Sequence, residues 1–176
     1  MKKSLLLLAL IFCFSLSAFS QAKGNFGYID SEYILGNIPE YKEAQRELDR
    51  LAANWQKEIE KKFASIDSMY KKYQVEAITL PENLKQKREE SIIKAEQDAK
   101  DLQKKRFGKD GDLFKKREEL VKPIQDRVFN AIEALAKDRG YAFIFDTAGS
   151  MTIVYADPKF DLNDHVMQRL GITVKE

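Results

Sequence analysis

The chain is 176 residues long and one third charged, with 30 Lys and Arg against 28 Asp and Glu for a formal charge of +2. A balance so near zero argues against a dedicated nucleic-acid binder, which carries a clear basic excess. With one cysteine and one histidine, the chain has no thiol pair for a disulfide and no Cys/His set for a metal site or an activated nucleophile.

The first residues, MKKSLLLLALIFCFSLSAFSQAKG, place Lys2 and Lys3 before an apolar run from Leu5 to Phe19, followed by small and polar residues. That is the layout of a secretory signal peptide, here residues 1–20, with cleavage expected near Ser20 or Ala22 and an uncleaved anchor as the alternative. The run is interrupted by Ser15 and Ser17 and falls short of the roughly 20 apolar residues a membrane-spanning helix needs. Phe12 precedes Cys13 where a lipoprotein signal needs a small residue, so Cys13 reads as filler. Cleavage removes that cysteine with Lys2 and Lys3, and the mature chain is then thiol-free and formally neutral.

FGYID at 26–30 reads as a strand, with Phe26, Tyr28 and Ile29 as candidates for an oligomerisation base. From Glu40 to Ile78 the sequence has no Pro or Gly. Apolar or small residues recur there at Leu48, Ala52, Trp55, Ile59, Phe63, Ile66, Tyr70, Tyr73 and Ala77, the three- and four-residue steps of one helical stripe. Such a helix is roughly 58 Å long at about 1.5 Å per residue, so it must project from a domain of this size. Met69 lies beside the stripe and is expected to face outward. Thr79, Pro81 and Glu82 mark a tip near 79–82, with Thr79 as a possible N-cap of the next helix. The return helix then runs antiparallel to about Lys122, completing an arm over 40–122. It is poor in large apolar residues, and Gly108 and Gly111 within FGKDGDLF each cost about 1 kcal/mol relative to Ala, so this stretch is expected to be a hinge. Residues 42–122 hold 21 basic and 17 acidic side chains; the excursion is basic and its flanks are acidic.

Pro123 is expected to interrupt the return helix and start a fresh one with stripe Ile124, Val128, Ile132 and Leu135, closed by Gly140. The apolar run holding Phe143, Ile144 and Phe145 and the run TIVY at 152–155, with Ile153 and Val154, read as two strands of a hairpin. A last short helix, capped by Asp161 or Asn163 and ended by Gly171, carries Val166 and Leu170 on one face. The base thus comprises 26–38 and 123–174. A unit this small, without a disulfide and anchoring so long an arm, is near the limit at which a core stands alone, and a homo-oligomer is expected. The fold class is α+β, mostly helical: a small β-structured base with a long projecting, coiled-coil-like antiparallel hairpin.

Chemistry is not expected. His165 reads as a surface or capping histidine. Asp110 and Asp112 do not begin a calcium loop, because Val121 stands where its acidic twelfth residue belongs. No GK[ST] follows the glycines to make a phosphate loop, so no ATP and no other cofactor is expected.

In order of parts, the chain resembles the Skp (OmpH) family of periplasmic chaperones. The residues that carry this are FGYIDSEYIL at 26–35, GDLFKKREELVKPIQDRVFNAIEALAKDRGYAFIFD at 111–146 and TIVYADPKFDLNDHVMQRLG at 152–171. The resemblance implies a homotrimer with a shared β-structured base and three arms around a cavity. Unfolded outer-membrane β-barrel proteins would be held there, without ATP, until insertion. Lys57, Lys61, Lys62, Lys71 and Lys72 on the outgoing arm, and Lys85, Lys87 and Arg88 on the return arm, would attract acidic clients and the anionic outer-membrane lipid surface. Met69 joins them as a client-binding candidate. A structural coiled coil of the envelope is the alternative; nucleic-acid binding and enzymatic activity rank below both.

Overall fold

The computed structural model describes residues 25–149 and 153–173. The expected signal peptide, residues 1–20, and Thr152 of the expected hairpin lie outside them.

Strand β1 (Asn25–Ile29) passes into α1 (Ser31–Gly36), capped by Asp30, whose side chain accepts the Tyr33 N–H. Helix α2 (Pro39–Glu76) is 38 residues long, or about 57 Å at 1.5 Å per residue. Pro39 suits its first turn because an N–H there would have no helical partner. Residues 77–81 form the tip, and α3 (Glu82–Phe107) returns along α2. After a break at 108–111, α4 (Asp112–Arg139) continues into the base. Strand β2 (Tyr141–Asp146), a 3-10 turn at Pro158–Phe160 and α5 (Asn163–Arg169) complete the described chain. Gly140 and Gly171 have φ of 69° and 74° and end α4 and α5 as their sequence positions suggest.

One register holds α2 against both return helices. Tyr73 meets Glu89, Tyr70 meets Glu96, Glu58 meets Arg106 and Glu40 meets Arg127. The order of contacts down α2 is matched by the order along α3 and α4, on both sides of the break between them. Helix α2 is the continuous spine of the arm.

The arm starts and ends at neighbouring strands, because β1 and β2 pair in parallel, with Phe26 opposite Phe143 and Ile29 opposite Asp146. The core lies between this two-stranded sheet, the lower parts of α2 and α4, and the two short helices. It gathers Ile29, Ile34, Ile38, Leu48, Val121, Ile124, Val128, Leu135, Leu162, Val166 and Met167. Each such aliphatic side chain stabilises by roughly 1.5–3 kcal/mol when fully removed from water.

Three sequence expectations are corrected. Pro123 does not interrupt the return helix: α4 runs through it. Pro123 is exposed while Val121, Ile124 and Val128 are buried, and burial of that stripe on both sides outweighs a proline penalty of about 3 kcal/mol. Ile153 and Val154 do not form a strand with β2; residues 153–155 are irregular, and Val154 and Tyr155 are 95% and 79% exposed. Where β2 ends, the chain stays bound to β1. The Thr147 N–H and hydroxyl both donate to the Ile29 carbonyl, at 2.8 and 3.0 Å, and tie the chain to β1. The other side of β1 is taken by Asp161, which bridges Tyr28 in parallel, and by the Leu162 N–H, which donates to the Tyr28 carbonyl at 2.9 Å. Finally, Thr79 does not cap the following helix: its hydroxyl donates back to the Glu76 carbonyl at 3.1 Å, while Pro81 occupies the N-cap position of α3.

Candidate functional site

The distal arm buries little. Ile66, Ile92 and Ala99 form its cluster, with Met69, Tyr73 and Ala95 packed alongside. Met69 therefore does not face outward. The flexible thioether turns back onto Ile92 and fills the edge of the seam. Other apolar side chains are left in water: Phe63 and Tyr70 at 40% exposure, Ile93 at 63%, and Val75 and Ile78 near the tip at 79% and 89%.

Polar contacts substitute for apolar ones across this seam. The Tyr70 hydroxyl donates to Glu96 at 2.8 Å, and Tyr73 donates to Glu89. Each carboxylate favours the neutral phenol and raises its pKa above the ordinary tyrosine value. The predicted basic positions divide in two. Lys71 pairs with Asp67, Lys72 and Arg88 with Glu76, and Lys85 with Glu82. Lys57, Lys61, Lys62 and Lys87 are exposed and make no ion pair among the described residues, so theirs is the charge open to a partner.

Gly108 and Gly111 sit at the break. The Gly108 N–H closes α3 on the Lys104 carbonyl at 2.8 Å. A Cβ on Gly108 would lie 2.4 Å from the Lys104 oxygen, and one on Gly111 would lie 2.8 Å from the Lys105 oxygen. Glycine is required here by close approach of backbone to backbone. Composition alone reads the pair as a hinge, and in the structure backbone packs closely on backbone at that point.

The base presents a second kind of surface. The outer face of the sheet carries a groove of about 370 Å³ whose walls include Phe26, Tyr28, Phe145, Ile153, Tyr155 and Phe160. On the opposite side a groove of about 380 Å³ lies between Leu35, Val128, Phe129, Ile132 and Ile144. Phe26, Phe143 and Phe129 are 50%, 67% and 65% exposed, and the Phe143 and Phe145 rings stack at 6.3 Å. Among the described residues β2 pairs only with β1, so its other edge keeps unpaired backbone groups. Of the predicted base residues, Phe26, Phe143, Phe145 and Val154 are on the surface, Tyr28, Ile144 and Ile153 are half-buried, and Ile29 is in the core.

Sequence reasoning missed Phe129 and Tyr155. Phe129 sits one position off the buried stripe of α4, a placement the stripe itself could have flagged. Tyr155 was hidden by its assignment to a strand.

Polar groups knit the end of the sheet together. Burial pushes the Asp146 carboxyl up, but bonds from Ser31 and from the Ala148 N–H outweigh this and hold it below the usual carboxylate range. Partial burial, reinforced by Asp161 and Asp157, raises the Tyr28 phenol. His165 is half-buried and its Nδ1 has no hydrogen-bond partner among the described residues. Among those residues no group of three His, Cys, Asp or Glu side chains is placed to hold a metal ion. No described helix is long and apolar enough to cross a membrane.

Comparison with known proteins adds three findings. The family described as outer membrane protein (OmpH-like) matches residues 25–170. A protein of Aquifex aeolicus without a described function is 27% identical over 170 residues, which cover 97% of this chain and 96% of the relative. The fold is similar to the crystal structure of a candidate OmpH-like outer membrane chaperone from Caulobacter crescentus, with a TM-score of 0.65 and 13% identity over 86% of each chain.

Proposed function

Because this chain belongs to the OmpH-like outer membrane protein family, we propose that it is an ATP-independent holdase chaperone of the periplasm. In this reading it binds unfolded outer-membrane β-barrel proteins between helical arms and keeps them from aggregating before insertion. The observation that carries the reading is the division of apolar side chains along the arm. A thin buried seam holds α2 and α3 together, while Phe63, Tyr70, Ile93, Val75 and Ile78 stay in water beside unpaired lysines. A rigid spacer gains nothing from exposing those groups. A surface that makes many weak contacts with an unfolded chain needs them.

The division of labour follows from chemistry. Lys57, Lys61, Lys62 and Lys87 attract acidic clients over a distance of about one Debye length, near 8–10 Å at physiological salt. Exposed aromatic and aliphatic groups then cover short apolar stretches, each weakly. Such contacts favour the unfolded client by mass action and lose their hold as it folds, so release needs no nucleotide. The base assembles the arms: the grooves at Phe145 and Phe129, with the open edge of β2, are covered by further copies of the chain in a homotrimer. Neighbouring arms then enclose a cavity. The lysines near the tip also favour the anionic outer-membrane surface.

The test is dilution of a urea-denatured outer-membrane β-barrel protein into buffer with the purified protein, scored by light scattering. Suppression saturating near three protomers per client, and weakening at high salt, is expected. A folded, helical preparation that does not suppress aggregation contradicts the reading and favours a scaffolding coiled coil.

A further inference from the structure

The two apolar clusters of the chain do not meet. The base cluster reaches up to Leu48 on α2 and Leu113 on α4, and the distal one begins at Ile66 and Ala99. Ile59, buried between them, belongs to neither. At this level lies the joint at 108–111, and one polar side chain spans it. Arg106, in the last turn of α3, donates through Nη1 to Asp112 Oδ2 at 2.7 Å, across the break in the first turn of α4. Its Nη2 stands 3.5 Å from Glu58 Oε2 on α2. The same guanidinium lies 4.8 Å from the centre of the Trp55 ring, which Phe107 meets edge-on at 6.4 Å. One side chain thus touches all three helices where aliphatic packing is interrupted.

We propose that Arg106 is a latch that sets the angle between the distal and proximal halves of the arm. With the latch closed, the Asp112 pair holds the end of α3 against the start of α4, and the Glu58 and Trp55 contacts fix both to the spine. With it open, the joint is left to the one turn at 108–111, closed by the Gly111 N–H on the Gly108 carbonyl at 2.9 Å, and to the Phe107–Trp55 ring contact, and the distal half swings about 108–111 while α2 bends opposite, near Trp55. Partial burial suits the role. Arg106 and Asp112 side chains are 24% and 28% exposed, enough burial to resist screening better than a surface pair and enough water to let the pair reopen. The other ion pairs of the arm reach fewer elements: Lys71 with Asp67 and Lys85 with Glu82 each join residues of a single helix, and Arg88 with Glu76 joins two helices near the tip.

The consequence for the size of the enclosed cavity rests on the proposed chaperone reading, but the latch itself is a property of the free protein and is tested without any client. Trp55 is the only tryptophan in the sequence, so its fluorescence reports on the latch directly. Hydrogen exchange and Trp55 emission are measured on the full-length protein and on Arg106→Gln and Asp112→Asn. Both variants are expected to speed exchange across 105–114 about tenfold and to shift emission to the red. Amides around Ile66, Ile92 and Leu135 keep their wild-type rates. Lys115→Gln removes a like charge from an exposed neighbour outside these ion pairs and leaves both readings unchanged. Wild-type exchange at the joint in Arg106→Gln and Asp112→Asn overturns the proposal. So does acceleration spread evenly over the arm, or a Lys115→Gln variant that behaves like the other two. A failure to hold unfolded clients leaves every one of these readings intact.

Discussion

In the base, fourteen buried side chains from all five helices except α3, and from both ends of the sequence, close around Ile34 and Val166, which have no exposed surface; in the distal arm only Ile66, Ile92 and Ala99 are buried together. The same chain therefore uses two means of cohesion. The base is stabilised by removing aliphatic surface from water, and the arm by a narrow seam supplemented with tyrosine–carboxylate bonds and an arginine clasp. A region built in the second way gives up cohesion easily and locally, which suits a surface that must adapt to its partner.

The contrast is sharpest for large-to-small substitutions. Leu135→Ala, at 2% exposure in the base, is expected to destabilise the whole protein by about 3 kcal/mol, through lost transfer free energy plus a cavity that rigid surroundings cannot fill. A lowered urea midpoint with an unchanged slope would show it. Ile92→Ala, at 3% exposure in the arm, leaves a gap that Met69 and solvent can fill. Its effect is expected near 1–2 kcal/mol and local, with faster hydrogen exchange around 64–74 and 90–100 and little change in the base. If both variants lowered the global midpoint equally, the two regions would be one cooperative unit and the contrast would fail.

Groups that titrate with either sign are spread over the two regions. Tyr70 and Tyr73 have raised pKa values in the folded arm, so their contribution is fully present below the ordinary tyrosine pKa of about 10 and is lost as pH rises through the folded values. Asp146 is lowered, so its contribution is present above the ordinary aspartate pKa and is lost as pH falls through the folded value. Alkali should loosen the arm at Tyr70 and Tyr73 and also β1 at Tyr28, whose phenol is raised as well, whereas acid should loosen the end of the sheet at Asp146. Amide spectra of 66–73 and 146–148 recorded through both titrations distinguish this from the reverse assignment.

The smallest effect is expected at the surface. Lys71→Gln removes a pair with Asp67 whose side chains are 73% and 61% exposed, and should change stability by less than about 0.5 kcal/mol. A larger loss would mean that exposed ion pairs hold the arm together.

The arm was legible in the sequence because helical spacing repeats. The stripe from Leu48 to Tyr73, the missing prolines and glycines, and the Pro81 restart place α2, the tip and the start of α3 within a few residues of where the structure has them, whereas the return helix, expected to run to about Lys122, ends at Phe107. The base was less legible because its contacts are between distant parts of the chain. Nothing local in TIVY says that Thr147 will be held by Ile29, and nothing local at Pro123 says that Val121 and Ile124 will both be buried. The joint was half legible: the glycines marked the break, but Arg106 looked like any other charge in KKRFGKDGD until its three partners were brought to it. Met69 was misplaced for a related reason, since one position beside a stripe still reaches the seam when the side chain is long and flexible.

The most direct test of the division between an assembling base and a holding arm is hydrogen exchange of the protein with and without an unfolded outer-membrane β-barrel protein bound. Protection is predicted along the arm faces that carry Phe63, Tyr70 and Ile93, with the base around Leu135 and Val166 unchanged. Protection confined to the base grooves at Phe145 and Phe129, with the arm unaffected, would contradict the account.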